Sequence, residues 1–218
     1  MENVFVLNPE DASQTEAFPA AMADVHIDCI MNSHTMATFL PPLSRERIIE
    51  YHASKAKEIR SGVYSIIAEW VPVDSSNPPS DDVVIWKDRE LAGFVMLHRT
   101  PSETGPFRAY VEKLLVSSRF RKRGVARRVM AKLEDEARRT DSWALMLDTT
   151  VGSGAEFVYP KLGYIMVGVI PEYGLSPKDN KTLEDEIKVL LQGFATEKWI
   201  VLSLMNVVLR LLDVLMIS

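Results

Sequence analysis

The chain has 218 residues, 47% of them hydrophobic and 25% charged, with a formal net charge of −5. That balance suits one globular domain with additions, is short for two domains, and excludes an intrinsically disordered chain. The opening MENVFVLNPEDA has no basic region ahead of its apolar run, so it does not read as a secretory signal. The single cysteine, Cys29, excludes an internal disulfide and fits a reducing, cytoplasmic setting. Cys29 reads as a small core residue. The four histidines (His26, His34, His52 and His98) lack metal-ligand spacing with one another or with Cys29, so no metal site is expected.

In chain order, NVFVLN (3–8) predicts a short strand and 16–34 an amphipathic helix. SRERIIEYHASKAKEIRSG (44–62) predicts a second helix, with Ser44 as N-cap and Gly62 as stop. VYSIIAEWV (63–71) alternates as a strand does, and the polar, proline-rich 72–82 is a loop. ELAGFVMLHR (90–99) and AYVEKLLVS (109–117) predict two more strands around the loop TPSETGPF. The clearest helix spans 122–139, where Val125, Val129, Leu133 and Ala137 repeat every four residues. WALMLDT (143–149) is a strand expected to be buried on both faces. SGAEFVYPKLG (153–163) reads as a short helix, and YIMVGVIP (164–171) as a strand. The order predicts a mixed α/β sheet.

One feature stands out against the acidic background. RFRKRGVARRVM places six basic side chains between Arg119 and Arg128, and residues 119–139 carry a local charge of +6, which leaves −11 for the rest. A nucleic-acid domain would spread its positive surface along a groove and interleave aromatics, whereas here Phe120 is the only aromatic. The segment is too short and too poor in large apolar residues for a membrane-surface helix. A compact anion fits best. A strand ends at Val116–Ser117 and a helix begins near Lys122, so unpaired N–H groups and the positive dipole end face one point. Gly124 and Ala126 leave room for a pyrophosphate; Arg121 and Arg123 add charge, and Arg127 is a further candidate. The bland reading, a solvated basic face, is disfavoured by the strand–glycine–helix context.

Arg121-x-x-Gly124-x-Ala126 after VEKLLVS resembles the acetyl-CoA signature of the GNAT superfamily of N-acetyltransferases. LDTTVGSGAEFVYPKLGYIMVGVIPEYGLSP (147–177) is similar to the tabtoxin-resistance group of that superfamily. The resemblance covers about 107–177, is consistent in element order over 1–106, and fails after 180. It implies a GNAT-like mixed, mostly antiparallel sheet flanked by helices over 1–180. It also implies transfer of acetyl from acetyl-CoA to a primary amine of a small molecule, by direct attack in a ternary complex. Leu115 and Val116 would contact the pantetheine arm, and Arg121, Lys122, Arg123, Gly124, Val125, Ala126 and Arg127 would cradle the phosphates. Tyr159 matches the tyrosine that protonates the leaving thiolate, although Pro160 beside it is expected to kink its helix. Asp148, an acid ending an apolar strand and so partly desolvated, is one candidate base. Relatives tend to carry a glutamate where Tyr110 stands; Glu112 would replace it from the same face of the strand. Tyr110, Pro160 and the aberrant tail favour the alternative of a non-catalytic CoA-binding module.

The tail departs from the family. TLEDEIKVLLQGF (182–194) reads as a helix from the spacing of Ile187, Leu190 and Leu191, so 181–218 is expected to be an atypical helical extension. WIVLSLMNVVLRLLDVLMI (199–217) is apolar, but its Ile, Val and Leu residues offer about −5 kcal/mol against about +6 for Arg210 and Asp213. Membrane insertion is therefore not expected. The reading is a helix packed on its own domain or on a second copy, making a homo-oligomer conceivable; a replacement strand from 198–204 and an altered chain end are the alternatives.

Overall fold

The computed structural model describes residues 3–192. Its first half comprises β1 (Val4–Val6), α1 (Ala12–Ser33), α2 (Arg45–Lys57), β2 (Tyr64–Pro72), β3 (Ile85–Trp86), β4 (Arg89–His98) and β5 (Arg108–Val116). The second half adds α3 (Val125–Arg139), β6 (Ala144–Thr150), β7 (Ile165–Leu175) and β8 (Leu183–Gln192). These eight strands join one sheet in the order β1-β2-β4-β5-β6-β8-β7, with β3 hairpinned onto β4. Among the described residues only the β5–β6 pair is parallel.

The alternation read in the sequence sorts side chains onto two faces. Ile67, Val95 and Leu97 point toward α3, where they meet Val129, Met130, Leu133 and Ala137. Ile66, Trp70, Phe94 and Met96 point the other way, against Phe18, Met22 and Val25 of α1. β2 and β4 are thus covered on both sides, which explains their near-continuous apolar sequence. Gly93 lets the start of α3 approach: a Cβ there would lie 2.8 Å from the Leu115 carbonyl oxygen and 2.9 Å from a Val125 methyl.

Helix limits follow their caps. Ser44 caps α2 as expected, accepting from the Arg47 N–H at 3.2 Å. Asp11 accepts from the Ser13 N–H at 3.0 Å and starts α1 earlier than the sequence pattern indicated. α2 stops at Lys57, short of Gly62, which turns the chain into β2 with φ +77°. The strand at 164–171 extends to Leu175.

Three expectations are corrected. Residues 153–163 form two 3-10 turns, Ala155–Phe157 and Tyr159–Leu162, rather than one helix. Pro160 sits in the first positions of the second turn, where no backbone donor is needed, so it breaks nothing. Residues 183–192, expected to be helical, form strand β8 between β6 and β7. The helical stripe is real in the sequence, but the place between β6 and β7 offers two ladders of backbone partners, which outweigh local propensity. The sheet therefore runs past residue 180. The apolar segment 199–217, with the readings of it as packed helix, oligomer contact or replacement strand, lies outside the described residues. Among the described residues no helix is long and apolar enough to cross a membrane.

α1 and α2 meet through a fully buried histidine pair. His26 Nε2 donates to the Ala37 carbonyl oxygen (2.7 Å), which leaves Nδ1 to accept from His52 Nε2 (3.1 Å). Burial pushes His26 down to about 4 and His52 to about 3, from an ordinary 6.5. The unfolded chain takes up these protons below about pH 6.5 and the native state does not until pH 4 or lower. Stability is therefore expected to fall as pH drops through that window, by up to about 1.4 kcal/mol per histidine per pH unit. Denaturant midpoints measured from pH 7.5 to 4.5 should show the slope, and His52→Leu should flatten it.

Candidate active site

β5 and β6 pair only over Arg108–Tyr110 and Ala144–Met146. Beyond that point β6 pairs with β8 instead, and β5 remains against β4. The cause lies partly in a bulge. Between Phe94↔Leu115 and Met96↔Glu112 the register slips, and Lys113 adopts a left-handed φ of +54°. The slip reverses the strand's alternation: Val111 packs on the α3 side, whereas Leu115 packs on the α1 side. The gap between the parting strands is a cleft of about 790 Å³.

Many of the residues singled out in the sequence converge there. Glu112, Leu115, Val116, Arg121, Ala126, Asp148 and Tyr159 all line the cleft. Tyr159 is held on the second 3-10 turn with its ring 5.8 Å from that of Tyr164, and burial pushes its hydroxyl well above the usual tyrosine range. It stays protonated at neutral pH. Asp148 is exposed at the cleft wall, which corrects the expectation of a desolvated acid: its position alternates away from buried Leu147 and Thr149.

The basic segment divides into two groups. Arg119 forks onto buried Glu90 (3.1 and 3.2 Å), and Arg128 forks onto buried Glu69 (2.8 and 3.1 Å). These two arginines neutralise carboxylates that the sheet has taken out of water. Arg128 also donates to the Arg123 carbonyl oxygen at 2.9 Å and so shapes the turn. In that turn Lys122 (φ +60°) and Gly124 (φ +78°) are both left-handed, and Gly124 caps α3. The first turn of α3 carries no acid, and its first backbone bond runs from the Arg128 N–H to the Gly124 carbonyl. The N–H groups of Val125, Ala126 and Arg127 precede it, as an anion site at a helix start requires. Arg121 lies at the cleft, its Nη2 3.9 Å from Cys29 Sγ. Arg123 and Val125 instead line a separate cavity of about 240 Å³, and Lys122 and Arg127 are exposed.

Cys29 is buried, as a core residue should be, and donates to the Val116 carbonyl oxygen at 3.4 Å. Burial pushes its thiol up to about 11, so it is no thiolate nucleophile.

Sequence reasoning missed several cleft groups. Lys113 projects from the bulge, and burial lowers its pKa against the pull of Glu112, Glu186 and Asp148. Glu186, buried on β8, contributes a further carboxylate to the lining. His98 and Tyr64 hold Glu112 from behind: His98 Nδ1 donates to Oε1 at 2.8 Å and the Tyr64 hydroxyl to Oε2 at 3.4 Å. Met36, Phe39, Leu40, Tyr173 and Leu175 form an apolar rim. Among the described residues no group of three or more His, Cys, Asp or Glu side chains is placed to hold a metal ion. The constellation suits acyl transfer: an anion cradle, an open strand edge, a positioned carboxylate and a protonated phenol share one cleft.

The comparisons point the same way. Residues 46–164 match the model of the acetyltransferase (GNAT) family. A ribosomal-protein-alanine N-acetyltransferase from Brucella melitensis superposes with a TM-score of 0.61 at 16% identity, covering 87% of this chain and 98% of its own. An N-acetyltransferase from Staphylococcus aureus gives 0.59 at 14%, covering 88% and 99%. The protein yncA from Salmonella typhimurium, solved with its cofactor acetyl-CoA, gives 0.60 at 13%, covering 88% and 94%. At such identities these likenesses establish the fold.

Proposed function

The chain belongs to the GNAT acetyltransferase family, and on that premise we propose that it transfers the acetyl group of acetyl-CoA to a primary amine of a small molecule, in a ternary complex. The observation that carries this reading is the convergence of Glu112, Tyr159 and the α3 start on one cleft. From the resemblance of residues 147–177 we further propose that it belongs with the tabtoxin-resistance group, and from its single cysteine that it acts in the cytoplasm.

The residues fit the cosubstrate. The N–H groups at Val125, Ala126 and Arg127, with the side chains of Arg121, Lys122 and Arg127 around Gly124, would hold the pyrophosphate, while Arg123 faces the separate cavity. The Leu115–Val116 edge of β5, unpaired by β6, would take the pantetheine amides. Acetyl-CoA supplies an acetyl thioester. The protein's own tasks are to deprotonate the amine and to protonate the departing sulfur.

An amine arrives mostly as ammonium. Glu112, Asp148 and Glu186 attract it, and Lys113 balances part of their charge. Glu112 takes the proton, since its orientation is fixed by His98 and Tyr64. Asp148, exposed, serves the approach of the cation. Tyr159 would give its hydroxyl proton to the sulfur as the C–S bond breaks, and the second proton that the nitrogen sheds on becoming an amide would restore the phenol. The apolar rim of Met36, Phe39 and Leu40 would hold the body of the acceptor.

Thiol release from acetyl-CoA with a panel of primary amines, with the acetylated product identified by mass, tests the proposal. Glu112→Gln is expected to lower turnover about 10²–10³-fold, and Asp148→Asn to raise the amine KM by several-fold with a smaller effect on kcat. Unchanged rates in Glu112→Gln would remove Glu112 from the base role.

A further inference from the structure

We propose that His98, backed by Tyr64, is the positioning residue of the amine-deprotonating step, holding the Glu112 carboxylate in its working orientation. The inference rests on the proposed acetyl transfer and assigns a role to groups outside the acetyl-CoA cradle.

The arrangement follows from the register. His98 of β4 lies opposite Tyr110 and Met96 opposite Glu112, so His98 and Glu112 are diagonal neighbours across the β4–β5 ladder. Tyr64 of β2 lies opposite His98 on the other side. The Tyr64 and His98 rings stack with centroids 4.4 Å apart and planes 5° from parallel. The stack fixes the imidazole plane, and Nδ1 then donates to Glu112 Oε1 at 2.8 Å. The Tyr64 hydroxyl donates to Oε2 at 3.4 Å, and the Lys55 ammonium lies over the Tyr64 ring, 4.5 Å from its centroid.

Two hydrogen bonds use two of the four acceptor positions of a carboxylate, which leaves two for the proton taken from the amine. Glutamate otherwise samples many rotamers, and a base must be placed within hydrogen-bond reach before its basicity counts. The side chains of His98 and Glu112 are only 26% and 29% exposed, so the pair is shielded more than an ordinary surface contact. Among the described residues Tyr51 and Lys113 also lie within electrostatic reach of Glu112, and Asp148 and Glu186 line the same cleft.

An asparagine at position 98 keeps an N–H near the place of Nδ1 but loses the imidazole ring. His98→Ala, His98→Asn and Glu112→Gln are compared in the full-length chain, with acetyl-CoA and 2-phenylethylamine as the acceptor probe, and each variant's crystal structure is solved. His98→Ala is expected to lower kcat about 10–100-fold with the acetyl-CoA KM within about threefold of the parent. His98→Asn should recover most of that loss. In the crystals the Glu112 carboxylate should leave the cleft wall in His98→Ala and keep its place in His98→Asn. A parental kcat in His98→Ala beside a slow Glu112→Gln would overturn the positioning role alone. Parental rates in both would overturn the base assignment with it. If the probe is not turned over, the crystals decide: a Glu112 that stays in place without His98 overturns the inference.

Discussion

Gly124→Glu is expected to weaken acetyl-CoA binding at least 100-fold, a change of about 2.8 kcal/mol. The carboxylate would lie at the start of α3, where the N–H groups of Val125, Ala126 and Arg127 await an anion. Position 124 is exposed, so the fold should persist. Two effects have to be separated, because Gly124 has φ +78° and any side chain there is strained. Gly124→Ala supplies the control. It carries the same backbone strain, about 1 kcal/mol, and a Cβ that meets the Arg128 guanidinium at 2.9 Å, a contact the glutamate variant shares. Affinity should fall a few-fold in the alanine variant and collapse in the glutamate variant. Equal affinities in Gly124→Glu and Gly124→Ala would show that no phosphate sits there.

Tyr159→Phe is expected to lower kcat about 10²-fold while the acetyl-CoA KM changes less than about threefold. The ring is buried against Tyr164, and phenylalanine keeps that packing. Only the hydroxyl is lost. Burial keeps that hydroxyl protonated at neutral pH, which is the form able to give a proton to a departing thiolate. Steady-state rates with the fastest amine of the panel, beside thermal melts of both proteins, measure the effect. An unchanged kcat would reduce Tyr159 to a packing residue.

Most of the frame was legible in the sequence because burial writes itself as periodicity. The four-residue stripe of α3 and the near-continuous apolar runs of β2 and β4 follow directly from what each element covers. The glycine turn was legible as well, since few residues other than glycine tolerate its backbone. What escaped depends on partners distant in the chain. Nothing near Arg119 or Arg128 reveals that Glu90 and Glu69 claim them from the sheet. His98 and Glu112 lie 14 residues apart and meet only through the β4–β5 register. Lys113 takes a left-handed conformation with no glycine or asparagine to announce it, so the reversal of β5 after Val111 has no local signature. β8 is the sharpest case. Residues 183–192 carry a helical stripe, yet the gap between β6 and β7 draws them into a strand.

The central claim is that the parting of β5 and β6 forms an acetyl-CoA site. Calorimetric titration of the full-length chain with acetyl-CoA tests it without knowledge of the acceptor. The account predicts saturable one-to-one binding that weakens with added salt, as phosphate contacts at a helix start require, and that is lost in Gly124→Glu. Absence of saturable binding, or binding that Gly124→Glu leaves intact, would contradict it.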